Sequence, residues 1–557
     1  MHVFEIVIAL LLGGAGLAAV ARRIGTPYPA LVALAGAALA VVPGTPTLVL
    51  NPELALALFV APVLLDAAFD ASPRDLRANW RTVAGLALGA VALTIFAVAV
   101  VARTLVPEMP WAAAVALGAI VAPPDAAAAT AVLKQLRPPH RLLVILEGES
   151  LFNDASALLV YRLAVGATIG GVAVGWNVLP LLLGVTGGSV LLGLVLAHVS
   201  LRLLAKIEDV STAVIVQFCT TFAVWLLAER LHLSGILTTV AYAMTASRRA
   251  PEVTPARIRI PSYAVWEVVV FVLNVLAFIL IGFQLKSILA RVDRPTLLVY
   301  VTIAAAICAT TIIARIAWVT GVAAVSRWRC PPNAEGRASP QDRVALSPRA
   351  AALVGWCGMR GIVTLAAALA LPTGDAGSVP FPYRDLILFT AFAVVLGTLV
   401  LQGATLRPLL TMLRLRDDGT VDREVRLARV ETLRAALNAT AASPDNEAAA
   451  VVRQRYELQL RRAEADVDAD AQDGRRKSPR PDGTRRESAT GGAHVVRAAM
   501  DAERQRLSTL RAEGTIGDAA FQQVEQELDW AELDSQQLLR SEEALPPREA
   551  LRPGSAR

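Results

Sequence analysis

The chain has 557 residues, of which 55% are hydrophobic and 18% are charged, and its mean hydropathy is +0.53. Soluble domains carry about a quarter charged residues, so this composition excludes a single water-soluble globule. The formal net charge of +6 comes from basic residues in short gaps between apolar runs. Because these residues do not form a continuous stripe, a nucleic-acid partner is not expected.

Apolar runs follow one another through residues 1–415, and there are about thirteen of them. A helix needs about 20 residues to cross a hydrocarbon core of roughly 30 Å, and most of the runs have that length. They predict an all-α polytopic membrane domain over 1–415, embedded in a lipid bilayer. The runs cover residues 3–21, 27–43, 49–70, 82–105, 111–134, 142–170, 178–204, 210–231, 233–247, 262–289, 296–326, 349–372 and 385–412.

Every second loop between these runs is rich in Arg and Lys, beginning with Arg22 and Arg23 and ending with residues 327–349. Cytoplasmic loops of membrane proteins show this excess. The pattern predicts an N-terminus outside the cell and a C-terminal region in the cytoplasm. No basic segment precedes the first run, so we interpret it as a membrane helix and not as a cleaved signal.

The fifth run contains the sequence Ala-Pro-Pro-Asp at residues 122–125. Two consecutive prolines remove backbone donors and force the preceding residue out of the α region. The helix should therefore be interrupted near the middle of the membrane. Irregular backbone at that depth must face protein or water, which suits an ion site.

The sixth run carries three acids and an Asn in the sequence Glu-Gly-Glu-Ser-Leu-Phe-Asn-Asp at residues 147–154. Ser150 and Asp154 share one helix face, and Glu149 and Asn153 form a neighbouring pair with the same spacing. Ionisable side chains in membrane segments are costly and usually line a pathway or pair with one another. These side chains are therefore candidates for the functional site.

The twelfth run places Arg360 between Gly358 and Gly361, which predicts a second weakened helix. The fifth and twelfth runs lie seven helices apart, and an odd offset gives them opposite orientations. Helices one to six would then recur, inverted, as helices eight to thirteen. Transporters with this architecture bind their substrate between the two interrupted helices, so the spacing favours alternating access.

Residues 416–557 form a polar tail with four amphipathic helical segments, at 421–437, 447–465, 495–511 and 518–539. Residues 466–492 are rich in Asp, Arg, Gly, Pro and Ser, which predicts a disordered linker. The tail helices could pair with each other or across a dimer. A site for a regulatory ligand or partner is the alternative.

The sequence carries few signals of enzymatic chemistry. Its four cysteines, Cys219, Cys308, Cys330 and Cys357, have no close paired spacing, so no disulfide or cysteine metal site is predicted. It also lacks a glycine-rich phosphate-binding loop of the kind that a primary pump needs. We therefore expect neither an enzyme nor a cofactor.

Several of these segments together resemble bacterial sodium/proton antiporters of the monovalent cation:proton antiporter-1 family, relatives of the animal sodium/proton exchangers. The resemblance extends over the whole predicted membrane domain, and the helical tail also resembles that of the bacterial branch. It rests on Gly-Glu-Ser-Leu-Phe-Asn-Asp at 148–154, Pro-Pro-Asp at 123–125, Pro-Val-Leu-Leu-Asp at 62–66, Trp266-Glu267 with Phe271 and Asn274, and Gly-Met-Arg-Gly at 358–361.

By position, the resemblance makes Asp154 the carboxylate that binds both the cation and the proton. Ser150 and Asp125 would help to hold the transported Na⁺. Asn153 would hold Asp125 or the interrupted backbone. Because Na⁺ is a hard cation that prefers oxygen ligands, these residue types fit the role.

The resemblance also implies a structural ion pair between Glu149 and Arg360. Two features depart from the family pattern. The family commonly has Thr-Asp-Pro at the first interruption, whereas this chain has Pro124, Asp125 and Ala126, which leaves the Pro124 carbonyl as the backbone ligand. Asp66, a candidate outer ligand, stands where related sequences often have Glu or an apolar residue.

The function predicted in this way is secondary active transport of Na⁺, and also of Li⁺, in exchange for H⁺. It would proceed by alternating access in the inner (plasma) membrane of a bacterium and serve pH and sodium homeostasis. The resemblance further implies a homodimer. One proton per Na⁺ is expected, which would make exchange electroneutral, if Asn153 replaces a second buried carboxylate. Potassium/proton exchange is an alternative, and a cation channel or membrane sensor gated through the tail is another.

Overall fold

The regular elements of the described residues are helices. The computed structural model describes residues 2–24, 26–41, 56–125, 128–130, 133, 136, 138–170, 178–289, 293–329, 347–373, 380–415, 417–441, 447–472 and 493–543. Their contacts divide the chain into two units. Unit 1 contains residues 1–253 and 263–417, and unit 2 contains residues 254–262 and 418–557.

The helices that begin before residue 415 are α1 (His2–Ile24), α2 (Tyr28–Val41), α3 (Ala61–Asp70), α4 (Pro73–Ala78), α5 (Trp80–Ala84), α6 (Val91–Leu105), α7 (Trp111–Val121), α8 (His140–Gly170), α9 (Val178–Leu204), α10 (Val210–Arg230), α11 (Gly235–Val253), α12 (Ala256–Leu289), α13 (Arg294–Arg329), α14 (Pro348–Trp356), α15 (Ile362–Leu369) and α16 (Arg384–Leu413). Two π-helical turns precede α3 and α6, at Leu56–Val60 and Gly85–Ala90.

Among the described residues, six helical stretches are long and apolar enough to cross a membrane. Large apolar side chains such as Phe96, Leu191 and Leu298 are exposed on these helices. Exposure of this kind suits contact with lipid, and the chain is a multi-pass membrane protein.

Close helix packing in unit 1 depends on small residues. A Cβ atom on Gly193 of α9 would lie 2.5 Å from the carbonyl oxygen of Thr238 on α11. A Cβ atom on Gly118 of α7 would lie 2.7 Å from the carbonyl oxygen of Ile95 on α6. Glycine is therefore required at both positions, and the backbones approach as small residues allow in membrane helices.

Both interruptions predicted from the sequence are present. Helix α7 ends at Val121, and residues 122–125 are irregular. Helix α14 ends at Trp356, residues 357–361 are irregular, and α15 begins at Ile362. The first follows from the consecutive prolines and the second from the glycines, since both residue types weaken a helix.

Unit 2 contains the four tail helices α17 (Thr420–Ala441), α18 (Glu447–Gln472), α19 (Ala493–Ala512) and α20 (Asp518–Glu543). Helix α17 packs against the other three. One apolar cluster joins Val425 and Ala428 of α17 to Leu507 of α19 and Phe521 of α20. A second cluster includes Tyr456 of α18 and Val495 of α19.

Two details of unit 2 differ from the sequence prediction. Helix α18 continues to Gln472, so residues 466–472 are helical and not part of a disordered linker; residues 473–492 lie outside the described residues. Unit 2 also includes residues Thr254–Ser262, which contain the start of α12. The predicted boundary at 415/416 did not foresee this segment, because apolar patterning carries no information on which loop the tail contacts.

Candidate functional site

The two interrupted helices meet at their irregular segments. The backbone nitrogen of Asp125 donates to the carbonyl oxygen of Met359 at 2.6 Å. This bond joins the segment after α7 to the segment before α15. Since the backbone of both segments lacks regular helical partners, the contact satisfies groups that would otherwise be costly at membrane depth.

Arg360 bridges the same two segments through its guanidinium group, which is fully buried. Its Nε donates to the carbonyl oxygen of Val121 at 2.9 Å, and its Nη2 to that of Ala122 at 3.4 Å. Its Nη1 donates to the Gly358 carbonyl. Because the carboxyl end of a helix has a partial negative charge, Arg360 stabilises the end of α7.

Glu149 pairs with Arg315 of α13 and not, as the sequence predicted, with Arg360. Arg315 Nη2 donates to Glu149 Oε2 at 2.8 Å, and Nη1 contacts Oε1. The same guanidinium donates to the carbonyl oxygen of Val354 at 3.1 Å, near the end of α14. The prediction was wrong because Arg360 is engaged by the carbonyls at the end of α7, while Arg315 reaches the carboxylate from a neighbouring helix.

Arg360 and Arg315 therefore have similar roles, each at the carboxyl end of one helix. Arg360 stabilises the carboxyl end of α7, and Arg315 stabilises the carboxyl end of α14 while it neutralises Glu149. Cations at these positions offset the dipoles of the two interrupted helices. Arg315 was not among the predicted site residues, although an arginine inside an apolar run is a site candidate.

Two glycines make room for this arrangement. A Cβ atom on Gly361 would lie 1.7 Å from Asp125 Oδ2, so the Asp125 carboxylate occupies the space beside Gly361. That space adjoins the amino end of α15, where a negative charge is favourable. A Cβ atom on Gly358 would lie 2.5 Å from Cδ of Arg315. The glycines of this segment thus admit one carboxylate and one guanidinium.

Helix α8 supplies the remaining polar groups. Asn153 is fully buried, and its Nδ2 donates to the Pro124 carbonyl oxygen at 2.9 Å. Its Oδ1 has no hydrogen-bond partner within the described part of the chain. Asn153 therefore holds the interrupted backbone of the fifth run and keeps one acceptor available to a water molecule or a cation.

Asp154 is 7% exposed and lies on the face of α8 next to that of Asn153. Its carboxylate is close enough to that of Asp125 for the two charges to interact. Ser150, one turn before Asp154, is half-buried. The site thus brings two carboxylates, a hydroxyl on the same helix face and interrupted backbone near one another, and oxygen groups of this kind suit a hard monovalent cation.

Asp66, the predicted outer ligand, is half-buried on α3. Of the other residues that carried the resemblance, Phe271 of α12 packs against Tyr28 of α2 with ring centroids 5.5 Å apart. Asn274 of α12 hydrogen-bonds the Tyr28 side chain. Through these contacts Phe271 and Asn274 pack α12 against α2.

A separate cavity of about 1900 Å³ lies beside α8. Its lining includes Phe152 and Ser156 from α8, together with residues of α9, α10 and α11. Asp154 and Asp125 are not among its described lining residues. This cavity is thus distinct from the group of polar residues at the two interruptions.

Within the described ranges, no group of three His, Cys, Asp or Glu side chains could hold a metal ion. Cys219, Cys308 and Cys357 have free thiols. Cys330 lies outside the described residues.

Comparisons with known proteins identify the family of the chain. A model of the transmembrane region of sodium/hydrogen exchangers matches residues 6–412. A protein of Mycobacterium tuberculosis named as an uncharacterized Na⁺/H⁺ exchanger is 30% identical over 533 residues, which are 92% of each chain. A sodium, potassium, lithium and rubidium/H⁺ antiporter of Bacillus pumilus is 31% identical over 429 residues, covering 74% of this chain and 62% of the relative.

The fold also resembles a solved structure. The sodium proton antiporter MjNhaP1 of Methanocaldococcus jannaschii aligns with a TM-score of 0.54 and 17% sequence identity. The alignment covers 74% of this chain and 99% of that chain. At this identity the likeness concerns the fold.

Proposed function

The chain belongs to the sodium/hydrogen exchanger family, and on that premise we propose that it exchanges Na⁺ for H⁺ across the plasma membrane of a bacterium. The observation that most supports the proposal is the contact between the two interrupted helices. Asp125 and Met359 join them, and the buried Asp154 lies beside the junction.

The proposed ion ligands are Asp154, Asp125 and the Ser150 hydroxyl. The Pro124 carbonyl already accepts from Asn153, but a carbonyl oxygen has two lone pairs, so it can also face the cation. No resident cofactor takes part. Asp66 would lie on the path of the ion and not in the innermost set of ligands.

Exchange follows from competition for one carboxylate. Either a proton or a sodium ion neutralises Asp154, whereas the empty, ionised site would be costly to move through a low-dielectric environment. Transit only in a loaded form couples the two fluxes. Glu149 is neutralised by Arg315 and Asn153 carries no charge, so we propose one proton per sodium ion and an electroneutral cycle.

The proposed architecture has thirteen membrane spans, in which helices one to six recur inverted as helices eight to thirteen. It places the N-terminus outside and the tail in the cytoplasm, and it assembles as a homodimer. Movement of the paired interrupted helices against the rest of unit 1 would give alternating access. The physiological role would be control of sodium and pH.

The deciding experiment is dissipation of a proton gradient in everted vesicles on addition of Na⁺, Li⁺ or K⁺ over a range of pH. Na⁺ and Li⁺ should dissipate the gradient, and the variant Asp154→Asn should give no response. A response to K⁺ would favour the broader selectivity named for the Bacillus pumilus relative. No response of the wild type to any cation would overturn the proposal.

Electroneutrality has its own test. Proteoliposomes with a sodium gradient and no pH gradient are given an imposed membrane potential, positive or negative inside. The rate of sodium uptake should be the same at both potentials. A rate that changes with potential would contradict one-for-one exchange while leaving antiport itself intact.

A further inference from the structure

A buried group of charged side chains holds the start of α12 against the tail helix α20, within unit 2. Arg259 Nε donates to Asp529 Oδ2 at 2.9 Å, and its Nη2 donates to Oδ1. Arg259 Nη1 lies 3.4 Å from Glu525 Oε1. Arg504 of α19 completes the group, since its Nη2 donates to Asp529 Oδ1 at 2.7 Å and also to Glu532.

The charges of this group balance only when Glu525 is protonated. Two arginines, Arg259 and Arg504, then face two carboxylates, Asp529 and Glu532. Ionised Glu525 would add a third negative charge. Because Arg259 is already paired with both oxygens of Asp529, it compensates the negative charge of an ionised Glu525 only weakly.

The excess negative charge of an ionised Glu525 would be costly because the group is buried, away from water. Arg259 is 4% exposed, Asp529 1% and Glu525 7%. Burial raises the pKa of Glu525 from its ordinary value near 4.5 to about 7. That value already includes the effect of Asp529, which raises the pKa, and the effects of Arg259, Arg504 and Arg511, which lower it. The carboxyl therefore titrates in the physiological range.

The other charged groups around α20 have partners of their own. Arg511 of α19 donates from Nε to Asp518 Oδ1 at 2.6 Å. Glu424 of α17 accepts from the backbone nitrogen of Gly517 at 2.7 Å. Glu527 pairs with Arg429 of α17 on the exposed side of α20. Besides burial, the charges that act on the ionisation of Glu525 are thus mainly those of three residues. Arg259 and Arg504 favour the ionised carboxylate, and Asp529 disfavours it.

We propose that this group is a pH-dependent latch, in which the tail holds the start of α12 while Glu525 is protonated and loosens its hold when Glu525 ionises. The consequence for transport rests on the proposed exchange function. Helix α12 continues from Arg259 through Pro261 to Asn274, whose side chain bonds Tyr28. Pro261 lacks a backbone donor and weakens the helix at that point, so the latch acts on a segment that can bend.

The direction of the effect follows from linkage. The latched form binds the Glu525 proton more tightly than the released form, where the carboxyl is in water and has its ordinary pKa. The latch is therefore strongest below about pH 4.5 and weakens as pH rises toward about 7. Between pH 6 and pH 8 its equilibrium constant should fall about tenfold. An acidic cytoplasm would then restrain an exchanger that imports protons.

Hydrogen–deuterium exchange on the full chain in nanodiscs tests the latch without any transport measurement. After correction for intrinsic exchange, amides of residues 254–262 and 518–532 should lose about tenfold in protection between pH 6 and pH 8. The variant Glu525→Gln, which cannot ionise, should show no such loss, and at pH 8 its protection should be at least that of the wild type at pH 6. Glu527→Gln, on the exposed side of the same helix, should behave as the wild type does.

The proposal would be overturned if Glu525→Gln and the wild type lost protection equally between pH 6 and pH 8. A variant that failed to fold would lose protection at both pH values, so Glu525→Asp serves as a second variant that should keep the pH dependence. Transport adds an independent arm. At pH 8, Glu525→Gln should lower the rate of sodium-dependent exchange toward the rate that the wild type has at pH 6. If the protection of the amides changes but the rate of exchange does not, the effect on α12 is refuted while the latch itself stands.

Discussion

Glu149 and Arg315, 166 residues apart in the chain, form an ion pair in which Arg315 Nη2 donates to Glu149 Oε2 at 2.8 Å. Each side chain is 2% exposed. Arg315 also donates to the carbonyl oxygen of Val354, so the pair ties α8 to both α13 and the end of α14. The carboxylate beside the candidate ion site is in this way neutralised by a structural partner and is not left to bind a cation.

This geometry predicts that Glu149→Gln destabilises the protein. Removing one member of a buried ion pair leaves the other charge uncompensated, at a cost of about 3–5 kcal/mol. The double variant Glu149→Gln with Arg315→Met should be less destabilised than Glu149→Gln alone. Thermal unfolding in detergent measures the difference.

The pair between Arg162 and Glu229 provides the control for that measurement. These side chains are 53% and 38% exposed, and Nη2 of Arg162 lies 2.8 Å from Oε1 of Glu229. Exposed pairs contribute about 0.2–1 kcal/mol, so Glu229→Gln should shift the unfolding temperature far less. Equal shifts for both carboxylates would contradict the structural role of Glu149.

A second prediction concerns Asp154. Asp154→Asn removes the charge that a proton or a sodium ion neutralises in the proposed cycle, and exchange should fall to the background of vesicles without the protein. The side chain keeps its size, so the unfolding temperature should remain near that of the wild type. Glu108→Gln, in the exposed loop before α7, should exchange normally. Antiport by the Asp154 variant at the wild-type rate would refute the assignment.

The sequence predicted the helical membrane part because apolar runs of spanning length leave few alternatives. It predicted the break after Val121 because two prolines cannot continue a helix. The partner of Glu149 was missed, since pairing between helices depends on how they pack and not on local pattern. Arg315 and Arg360 are both arginines within apolar runs, and only the arrangement of α13 and α14 decides which one reaches the carboxylate.

The tail illustrates the same limit. Periodicity and composition predicted four amphipathic helices, although helix α18 extends to Gln472. No local signal marked Arg259 as the residue that joins α20, because in the sequence it stands between two apolar runs among basic residues that topology alone explains. The ligand roles of Asp154, Asp125, Ser150, Asp66 and the Pro124 carbonyl stay predictions.

A third prediction follows from the space beside Gly361. Gly361→Ala places a methyl group where the Asp125 carboxylate lies, since a Cβ atom there would be 1.7 Å from Asp125 Oδ2. The carboxylate must move away from the amino end of α15, and the apparent affinity for sodium should fall about tenfold, equivalent to about 1.4 kcal/mol. Sodium titrations of exchange in vesicles measure this change.

Gly321→Ala is the matched control for Gly361→Ala, because a Cβ atom on Gly321 of α13 meets nothing within 4 Å. This variant should leave the sodium affinity unchanged. An unchanged affinity for Gly361→Ala as well would mean that the position of the Asp125 carboxylate does not affect cation binding.

The last prediction concerns Glu503, a buried carboxyl at the second apolar cluster of the tail. Tyr456 Oη donates to Glu503 Oε2 at 3.2 Å. Burial raises the pKa of Glu503 to about 7, although Tyr456, Arg455 and Arg504 act in the opposite direction. A folded-state pKa above the unfolded value means that the stabilising contribution is complete below about pH 4.5 and is lost as pH rises through about 7.

The variant Glu503→Gln removes this loss, because an amide does not ionise. At pH 8 the contacts between α18 and α19 should therefore be more stable in Glu503→Gln than in the wild type, by on the order of 3 kcal/mol, whereas at pH 4.5 the two should be similar. Hydrogen–deuterium exchange of residues 447–472 and 493–512 measures the difference. Glu513→Gln, an exposed neighbour of Arg506, should show none. Greater protection of the wild type than of Glu503→Gln at pH 8 would mean that the ionised carboxylate is stabilised in the tail and not opposed by burial.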